Sequence, residues 1–137
     1  MNTVQIKELL QKRKLKATST RLSLLIKMAK YGSAISYTDI QKALNPIDRV
    51  TLYRTIESLK EKGIIHKAFQ ENSEVYYAIC GNNCGENHHH HEHIHFKCLK
   101  CNTISCEKLD QILELSLSDF IINKISINLE GVCKFCK

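Results

Sequence analysis

The chain has 137 residues and a formal net charge of +6 at pH 7, and 43% of its residues are hydrophobic, enough for a packed core. That length allows one domain or two small ones, and the ordinary charged fraction of 25% excludes global disorder. No long apolar run predicts a membrane span, and the first residues lack the apolar stretch of a signal peptide. We therefore expect a cytoplasmic protein, whose seven cysteines indicate metal sites or reactive thiols rather than disulfides.

Charge and metal-binding residue types divide the sequence into two halves. Residues 1–63 contain nine Lys and four Arg against five acidic residues, whereas residues 64–137 contain seven Lys and no Arg against nine acidic residues. All seven cysteines and all seven histidines lie at or after His66. This asymmetry predicts a unit that binds a polyanion, joined to a unit that binds metal.

Four helices are predicted in the basic half, each from apolar residues at helical spacing. Three of them begin after a residue whose side-chain oxygen can cap a helix, and the last ends at a glycine suited to the position after a helix. In chain order the predictions are Val4–Leu15, Arg21–Lys30 after Thr18-Ser19-Thr20, Tyr37–Leu44 after Ser36, and Arg49–Lys62 between Asp48 and Gly63.

A two-stranded wing is predicted after the fourth helix. The apolar runs Ile64-Ile65 and Val75–Ile79 favour strands, and Glu71-Asn72-Ser73 favours a turn between them. Short helices that end in a basic helix and are followed by a hairpin are typical of a winged helix-turn-helix, whose last helix enters the major groove. An ordinary charged surface helix is the alternative, but it does not explain this order of elements.

Several side chains of the basic half are suited to DNA. Tyr53 can pack against a thymine methyl group, and Arg54 can reach a phosphate or a guanine edge. The basic residues between Lys12 and Lys16 can follow the phosphate backbone or enter the minor groove. The candidate DNA-binding residues are Lys16, Thr18, Arg21, Arg49, Thr51, Tyr53 and Arg54.

Two C-x-x-C motifs give the strongest chemical signal in the second half. They supply four thiolates, which form the closed tetrahedral ligand set of structural zinc. A redox pair is the alternative, but neither motif lies in a thioredoxin-like βαβ pattern. We therefore predict a structural Zn²⁺ that fastens the last residues to the strand around Phe96. Its ligands are Cys98, Cys101, Cys133 and Cys136.

A histidine-rich tract precedes the first C-x-x-C motif. His91, His93 and His95 alternate as residues of a strand do, so they are expected to share one face. Imidazoles on one face, close to a thiolate, favour a transition-metal site. For His88–His90 we favour a weakly binding loop, and Cys84 has no assigned role.

The remaining apolar residues predict a small α+β domain. Leu109–Leu117 has helical spacing, and Phe120–Leu129 mostly alternates as a strand does. Together these features predict an α+β protein with an N-terminal winged helix-turn-helix at 1–79 and a small metal-binding dimerisation domain at 80–137. We expect a homodimer that binds double-stranded DNA and no membrane.

Several short segments, taken together in their order and spacing, are specific to one known family. They are Leu15-Lys16-Ala17-Thr18 with Arg21-Leu22, Thr51-Leu52-Tyr53-Arg54-Thr55 with Leu59 and Gly63, the histidine-rich strand before Cys98 and Cys101, and Gly131-Val132-Cys133 with Cys136. Through these segments the chain resembles the ferric uptake regulator superfamily over nearly its whole length. This resemblance implies a homodimeric, metal-dependent repressor with a regulatory metal at the hinge between its domains, beside the four-cysteine zinc.

Within this superfamily the sequence is most similar to zinc-sensing members. Iron and peroxide sensors usually carry a histidine at the position of Ala34, and peroxide sensors carry an aspartate at the position of Cys106. A thiolate also favours zinc over Fe²⁺. The regulatory ligands implied by the resemblance are His66, Cys80, His91, His93 and Cys106, with His95 and Glu107 as competing candidates.

The predicted function is therefore a zinc-dependent repressor of metal-uptake genes, with a structural Zn²⁺ and a regulatory Zn²⁺. The alternative within the family is an iron- or peroxide-responsive regulator that uses Fe²⁺. An enzyme is not expected, because His91-Glu92-His93 lacks the spacing of a zinc hydrolase motif. A metal-storage protein does not explain the basic winged helix.

Overall fold

The computed structural model describes residues 1–79, 93–111, 114–123 and 127–137, without the side chains of His93 and Lys108. Cys80, Cys84 and His88–His91 lie outside the described residues, so the predictions made for them stay predictions. In the described part of the chain, no helix has both the length and the apolar character needed to cross a membrane.

The four predicted helices are confirmed, with small shifts at their ends. Thr18, Ser36 and Asp48 are N-caps, and each side chain accepts a hydrogen bond from a backbone N–H three residues on. Gly63 follows the C-cap of the last helix with φ of 69°, a left-handed conformation that favours glycine. The helices are α1 Thr3–Lys12, α2 Ser19–Tyr31, α3 Tyr37–Ala43 and α4 Arg49–Glu61.

The wing is also confirmed, and it belongs to a three-stranded antiparallel sheet. This sheet consists of β1 Ile35–Ser36, β2 Ile65–Glu71 and β3 Glu74–Ile79, in the order β1-β3-β2. Asn72 and Ser73 join β2 to β3 with φ of 50° and 67°, the pair of positive angles found in a tight type I′ hairpin turn. The short strand β1 was not predicted, since two residues carry no recognisable period.

A second three-stranded sheet contains the remaining strands. It consists of β4 His93–Cys98, β5 Ile104–Lys108 and β6 Asn128–Gly131, in the order β5-β4-β6. Strand β4 pairs antiparallel with β5 and parallel with β6. Glycine at position 131 leaves room for the Phe96 ring, because a Cβ there would lie 3.3 Å from the ring.

Two elements predicted in the second half are wrong for the described residues. Residues 109–111 and 114–117 form no helix, and of the predicted strand 120–129 only its last residues pair, as part of β6. Leu117 and Ile121 are 61% and 91% exposed. An amphipathic helix or strand is stabilised mainly by burying its apolar face, and the described residues of the chain offer these side chains no such surface.

The two sheets differ in how they are covered, and they meet along a small contact. The four helices and the first sheet enclose a core that includes Leu10, Leu25 and Ile56. A smaller cluster of buried side chains joins the two sheets, and its members are Ala34, Ala68, Phe69, Ala78 and Ile104. We call residues 1–79 the winged-helix unit and the described residues from 93 onward the cysteine-rich unit.

Candidate metal centres and nucleic-acid interface

The first candidate centre is formed by the two C-x-x-C motifs. Their four sulfurs, from Cys98, Cys101, Cys133 and Cys136, all lie within 4.8 Å of one another. The Cys101 and Cys133 sulfurs are 3.9 Å apart. A zinc ion with Zn–S bonds of about 2.3 Å holds neighbouring sulfurs about 3.8 Å apart, so the four thiols fit a tetrahedral zinc.

Backbone donors prepare the most buried of these sulfurs for a cation. The N–H groups of Cys101 and Cys133 donate to the Cys98 sulfur at 3.5 and 3.4 Å, and they lower the pKa of this thiol to about 6. Hydrogen bonds with the thiols of Cys133 and Cys101 raise the pKa of Cys136 instead. Without a cation, neighbouring thiolates repel one another, so the four thiols are not all deprotonated. A divalent cation offsets this repulsion and lets all four sulfurs carry negative charge together.

The cluster is positioned by backbone contacts between β4 and the last residues. Leu99 N–H donates to the Gly131 carbonyl at 2.7 Å, and the Lys100 ammonium reaches the Cys136 carbonyl at 3.4 Å. These contacts hold the second C-x-x-C motif next to the first. They match the predicted role of this centre, which is to fasten the C-terminal residues to the sheet.

The second candidate centre lies where the two units meet, and we call His66, His95 and Cys106 the inter-unit cluster. One ligand atom from each of the three lies within 4.8 Å of the others. The two Nε2 atoms are 2.7 Å apart, and the Cys106 sulfur is 3.5 Å from Nε2 of His66. His66 belongs to β2 and is buried, whereas His95 and Cys106 are directly opposed in β4 and β5.

The donor set of this cluster fits a transition metal. Two neutral imidazoles and a thiolate are a ligand set typical of zinc. Two nitrogens bound to one tetrahedral zinc are about 3.4 Å apart, so the two rings must separate by less than 1 Å to share the ion. The ring centroids are 4.8 Å apart and the ring planes are tilted by 34°, so the rings are not stacked face to face.

The described residues include some of the competing regulatory ligands. Among these residues, His66 and Cys106 lie together with His95. The backbone of His93 pairs with Lys108, but its side chain is outside the described part of the protein. Glu107 accepts a hydrogen bond from the Ser105 hydroxyl at 3.0 Å, and its neighbouring position in β5 places it on the face opposite Cys106.

The candidate nucleic-acid interface is the solvent-exposed face of α4. Arg49, Thr51, Tyr53 and Arg54 are exposed, and Tyr53 has 59% of its surface accessible. The Tyr53 ring is therefore available for a contact outside the chain. On the opposite face of α4 the side chains enter the core, so the helix is fixed behind its exposed face.

Some of the candidate DNA-binding residues also have structural partners. The Thr18 hydroxyl caps α2, and the Thr51 hydroxyl donates to the Asp48 carboxylate at 2.8 Å. The Arg21 guanidinium donates to the Lys16 carbonyl at 2.9 Å. Arg13, one of the basic residues before α2, instead donates to the Lys62 carbonyl and ties the end of α1 to the end of α4.

Contacts between the units also involve residues that sequence reasoning missed. Lys97 forms an ion pair with Glu71, and the Ala34 N–H donates to the Ile104 carbonyl at 2.7 Å. No local pattern marks these residues, since each partner is distant in sequence. His95 differs in this respect, because its strand alternation already made it a candidate.

Comparisons with solved structures agree with this fold. A zinc uptake regulator complexed with zinc and DNA matches with a TM-score of 0.70 at 22% identity, over 98% of this chain and 91% of the other. The crystal structure of holo XcZur matches at 0.67 and 18% identity, over 98% and 95%. The Vibrio cholerae ferric uptake regulator matches at 0.58 and 21% identity, over 93% and 98%. No curated protein matches the sequence.

Fold and clusters together define a winged-helix protein with one cysteine site in its second unit and one histidine and cysteine site between its units, both suited to metal. The family model described as "Ferric uptake regulator family" matches residues 12–130, which is most of the chain. The chain belongs to this family, whose members are metal-responsive transcription regulators rather than enzymes. The identities to the solved structures are low, so those comparisons show the fold alone.

Proposed function

We propose that this protein is a zinc-responsive repressor that binds double-stranded DNA as a homodimer. One observation carries the proposal: the inter-unit cluster takes His66 from the winged-helix unit and His95 and Cys106 from the cysteine-rich unit. A zinc ion bound there would supply one positive centre shared by both units. His66 then ties β2, and with it α4, to the second sheet.

Regulation follows as a shift between two arrangements of the units. When His66 is held beside His95 and Cys106, α4 has one fixed position relative to the cysteine-rich unit. In a dimer, both α4 helices then lie at one spacing, which a palindromic site can match. The ligand shifts this equilibrium only as far as its affinities for the two arrangements differ.

The thiolate of Cys106 is the basis for naming zinc rather than iron. Sulfur is a soft ligand that selects Zn²⁺ over Fe²⁺, and none of the three donors of the cluster is an oxygen atom. Cys80, His91 and His93 stay candidates for further ligands. We therefore propose that one of these three residues supplies the fourth ligand of the zinc ion.

A homodimer accounts for the exposed apolar residues of the cysteine-rich unit. Large apolar side chains that are exposed close together in sequence are typical of a protein–protein interface. We propose that this segment packs against a second copy of the chain, which would bury its apolar side chains. The residues concerned are Leu115, Leu117, Phe120 and Ile121.

Metal analysis and DNA binding test the proposal together. The purified chain should contain about two zinc ions, one for each cluster, and should bind DNA tightly only when free zinc is high. The DNA probe is a duplex selected from a random library by the wild-type protein at saturating zinc. Binding is measured by fluorescence anisotropy under buffered Zn²⁺ and, in parallel, anaerobic Fe²⁺. DNA binding that is induced by physiological concentrations of free Fe²⁺ but not of free Zn²⁺ would contradict zinc sensing.

The variant Cys106→Ser tests the inter-unit cluster itself. Serine keeps the size of the side chain but is a poor zinc ligand at neutral pH, so one zinc should be lost while the fold is kept. DNA binding should then no longer respond to zinc. Ser105→Ala is the matched control, because this residue precedes Cys106 on the opposite face of β5. Intact regulation in Cys106→Ser would place the regulatory site elsewhere.

A further inference from the structure

A second set of contacts joins the two units beside the inter-unit cluster, and it uses no metal ligand. The Lys97 ammonium of β4 pairs with the Glu71 carboxylate of β2, and it lies 5.6 Å from the centroid of the Phe69 ring. The Lys97 side chain is 13% exposed and the Glu71 side chain 38%, so the lysine end of this pair is shielded from water whereas the carboxylate end stays accessible. Close by, Ala34 donates its N–H to the Ile104 carbonyl.

An irregularity in β2 brings Phe69 and Glu71 to the same face of the strand as His66. The pairing of β2 with β3 shifts between Lys67 and Phe69, so Ala68 is an extra residue without a partner. In a regular strand His66 and Phe69 would point to opposite faces. The bulge restores Phe69 to the face of His66, and Ala68 and Phe69 are both buried in the cluster between the sheets.

In the second sheet, too, the contact residues lie on the same face as the candidate metal ligands. Lys97 follows His95 by two residues in β4, and Ile104 precedes Cys106 by two residues in β5. Residues two apart in a strand share a face. The three residues of the inter-unit cluster and the contacts around Lys97 therefore form one continuous surface between the units, with metal ligands at one end and an ion pair at the other.

We propose that Glu71 and Lys97 are positioning residues that set the zinc sensitivity of this regulator. Their ion pair, which we call the clasp, holds β2 against β4 before zinc binds and so keeps His66 near His95 and Cys106. This inference rests on the proposed regulatory site. A site that is already assembled binds its ligand more tightly than one that must first be assembled, so losing the clasp raises the zinc concentration needed.

The test uses the single variants Glu71→Gln and Lys97→Gln and their double variant in the full chain. Zinc affinity of the second site is measured by competition with a fluorescent chelator. Each single variant should bind zinc about two- to fivefold more weakly, and the double variant should be no weaker than either. Lys97→Arg keeps the ion pair, so it should retain most of the wild-type zinc affinity. Additive losses in the double variant, or unchanged affinity in both single variants, would overturn the clasp.

One control variant and one comparison of the test variants separate the clasp from a general effect of charge. Glu130 pairs in register with Lys97 inside the second sheet, and among the described residues Glu71, Glu130 and Tyr76 are the titratable groups that influence Lys97. Glu130→Gln therefore removes a nearby charge without breaking a contact between units, and it should leave zinc affinity unchanged. A purely electrostatic effect on the cation predicts opposite shifts for Glu71→Gln and Lys97→Gln, whereas the clasp predicts weakening in both.

The clasp can also be tested without zinc in the regulatory site, so the test holds even if the protein proves not to sense zinc. Amide hydrogen exchange is recorded for the chain carrying one equivalent of zinc, which occupies the four-cysteine centre. The amides of β2 near Phe69 should exchange faster in Glu71→Gln than in the wild type. Unchanged exchange there contradicts the clasp. A wild-type chain that takes up no second zinc contradicts the proposed function instead.

Discussion

The two units of this chain are stabilised in different ways. In the winged-helix unit, four capped helices and a sheet enclose apolar side chains such as Leu24, Leu52 and Leu59, all fully buried. Among the described residues of the cysteine-rich unit, only Ile94, Cys98 and Ile104 are buried. The first unit is therefore stabilised by its apolar core. The second unit depends on its thiols, on its contact with the first and on the surface that we assign to a second copy.

Removal of structural zinc should produce the largest difference between the units. In Cys98→Ser the buried sulfur, which accepts two backbone hydrogen bonds, is replaced by a poor zinc ligand. Since zinc binding to a structural site contributes on the order of 10 kcal/mol, the cysteine-rich unit should lose its order and the dimer should dissociate. The helices should stay folded. Circular dichroism, sedimentation and zinc analysis measure these effects.

The control for this prediction is a cysteine outside the four-cysteine centre. Cys106→Ser should keep one zinc ion and the dimer, although it removes the same chemical group from the same unit. If Cys98→Ser retained its full zinc content and stayed dimeric, the C-x-x-C pair would not be what holds the cysteine-rich unit together.

Loss of a DNA contact should act on the winged-helix unit alone. Arg54 is exposed on α4, so Arg54→Ala should weaken binding to the selected duplex about tenfold while the zinc content stays unchanged. Lys134→Ala removes the same charge from an exposed position between the last two cysteines, and it should change binding little. Anisotropy at several salt concentrations also separates the two kinds of contact, because loss of a phosphate contact lowers the salt dependence of binding whereas loss of a base contact leaves it nearly unchanged. Equal losses in both variants would indicate net charge rather than recognition by α4.

The two units also differ in how far they could be predicted from sequence. Helix caps depend on chemistry within four residues, so Ser36 and Asp48 mark their helices without knowledge of the fold. The four cysteines were likewise predicted from spacing and ligand type. The pattern of 109–129 failed at its described positions because a helix or strand there depends on a surface that the described part of the chain does not provide. The choice of His95 and the bulge at Ala68 both arise from packing between the units, which no local pattern encodes.

The smallest expected effect concerns the cap of α4 and depends on pH. Backbone and side-chain hydrogen bonds from Thr51 lower the pKa of the Asp48 carboxyl below its ordinary value of 3.8. The unfolded chain therefore binds this proton more tightly than the folded chain does. The stabilisation by Asp48 is fully present above the unfolded pKa, and it is lost as the pH falls through the lower folded pKa.

Asp48→Asn separates this charge from the hydrogen bond of the cap. Asparagine caps a helix about as well as aspartate does, so the variant should unfold at nearly the wild-type temperature below the folded pKa and at a slightly lower one at pH 7. Asp48→Ala should lower the melting temperature at both pH values, because it leaves the N–H of Thr51 without its acceptor. The comparison tests whether the winged-helix unit draws its stability from local capping as well as from its core. A melting difference between Asp48→Asn and the wild type that does not change with pH would contradict the charge contribution.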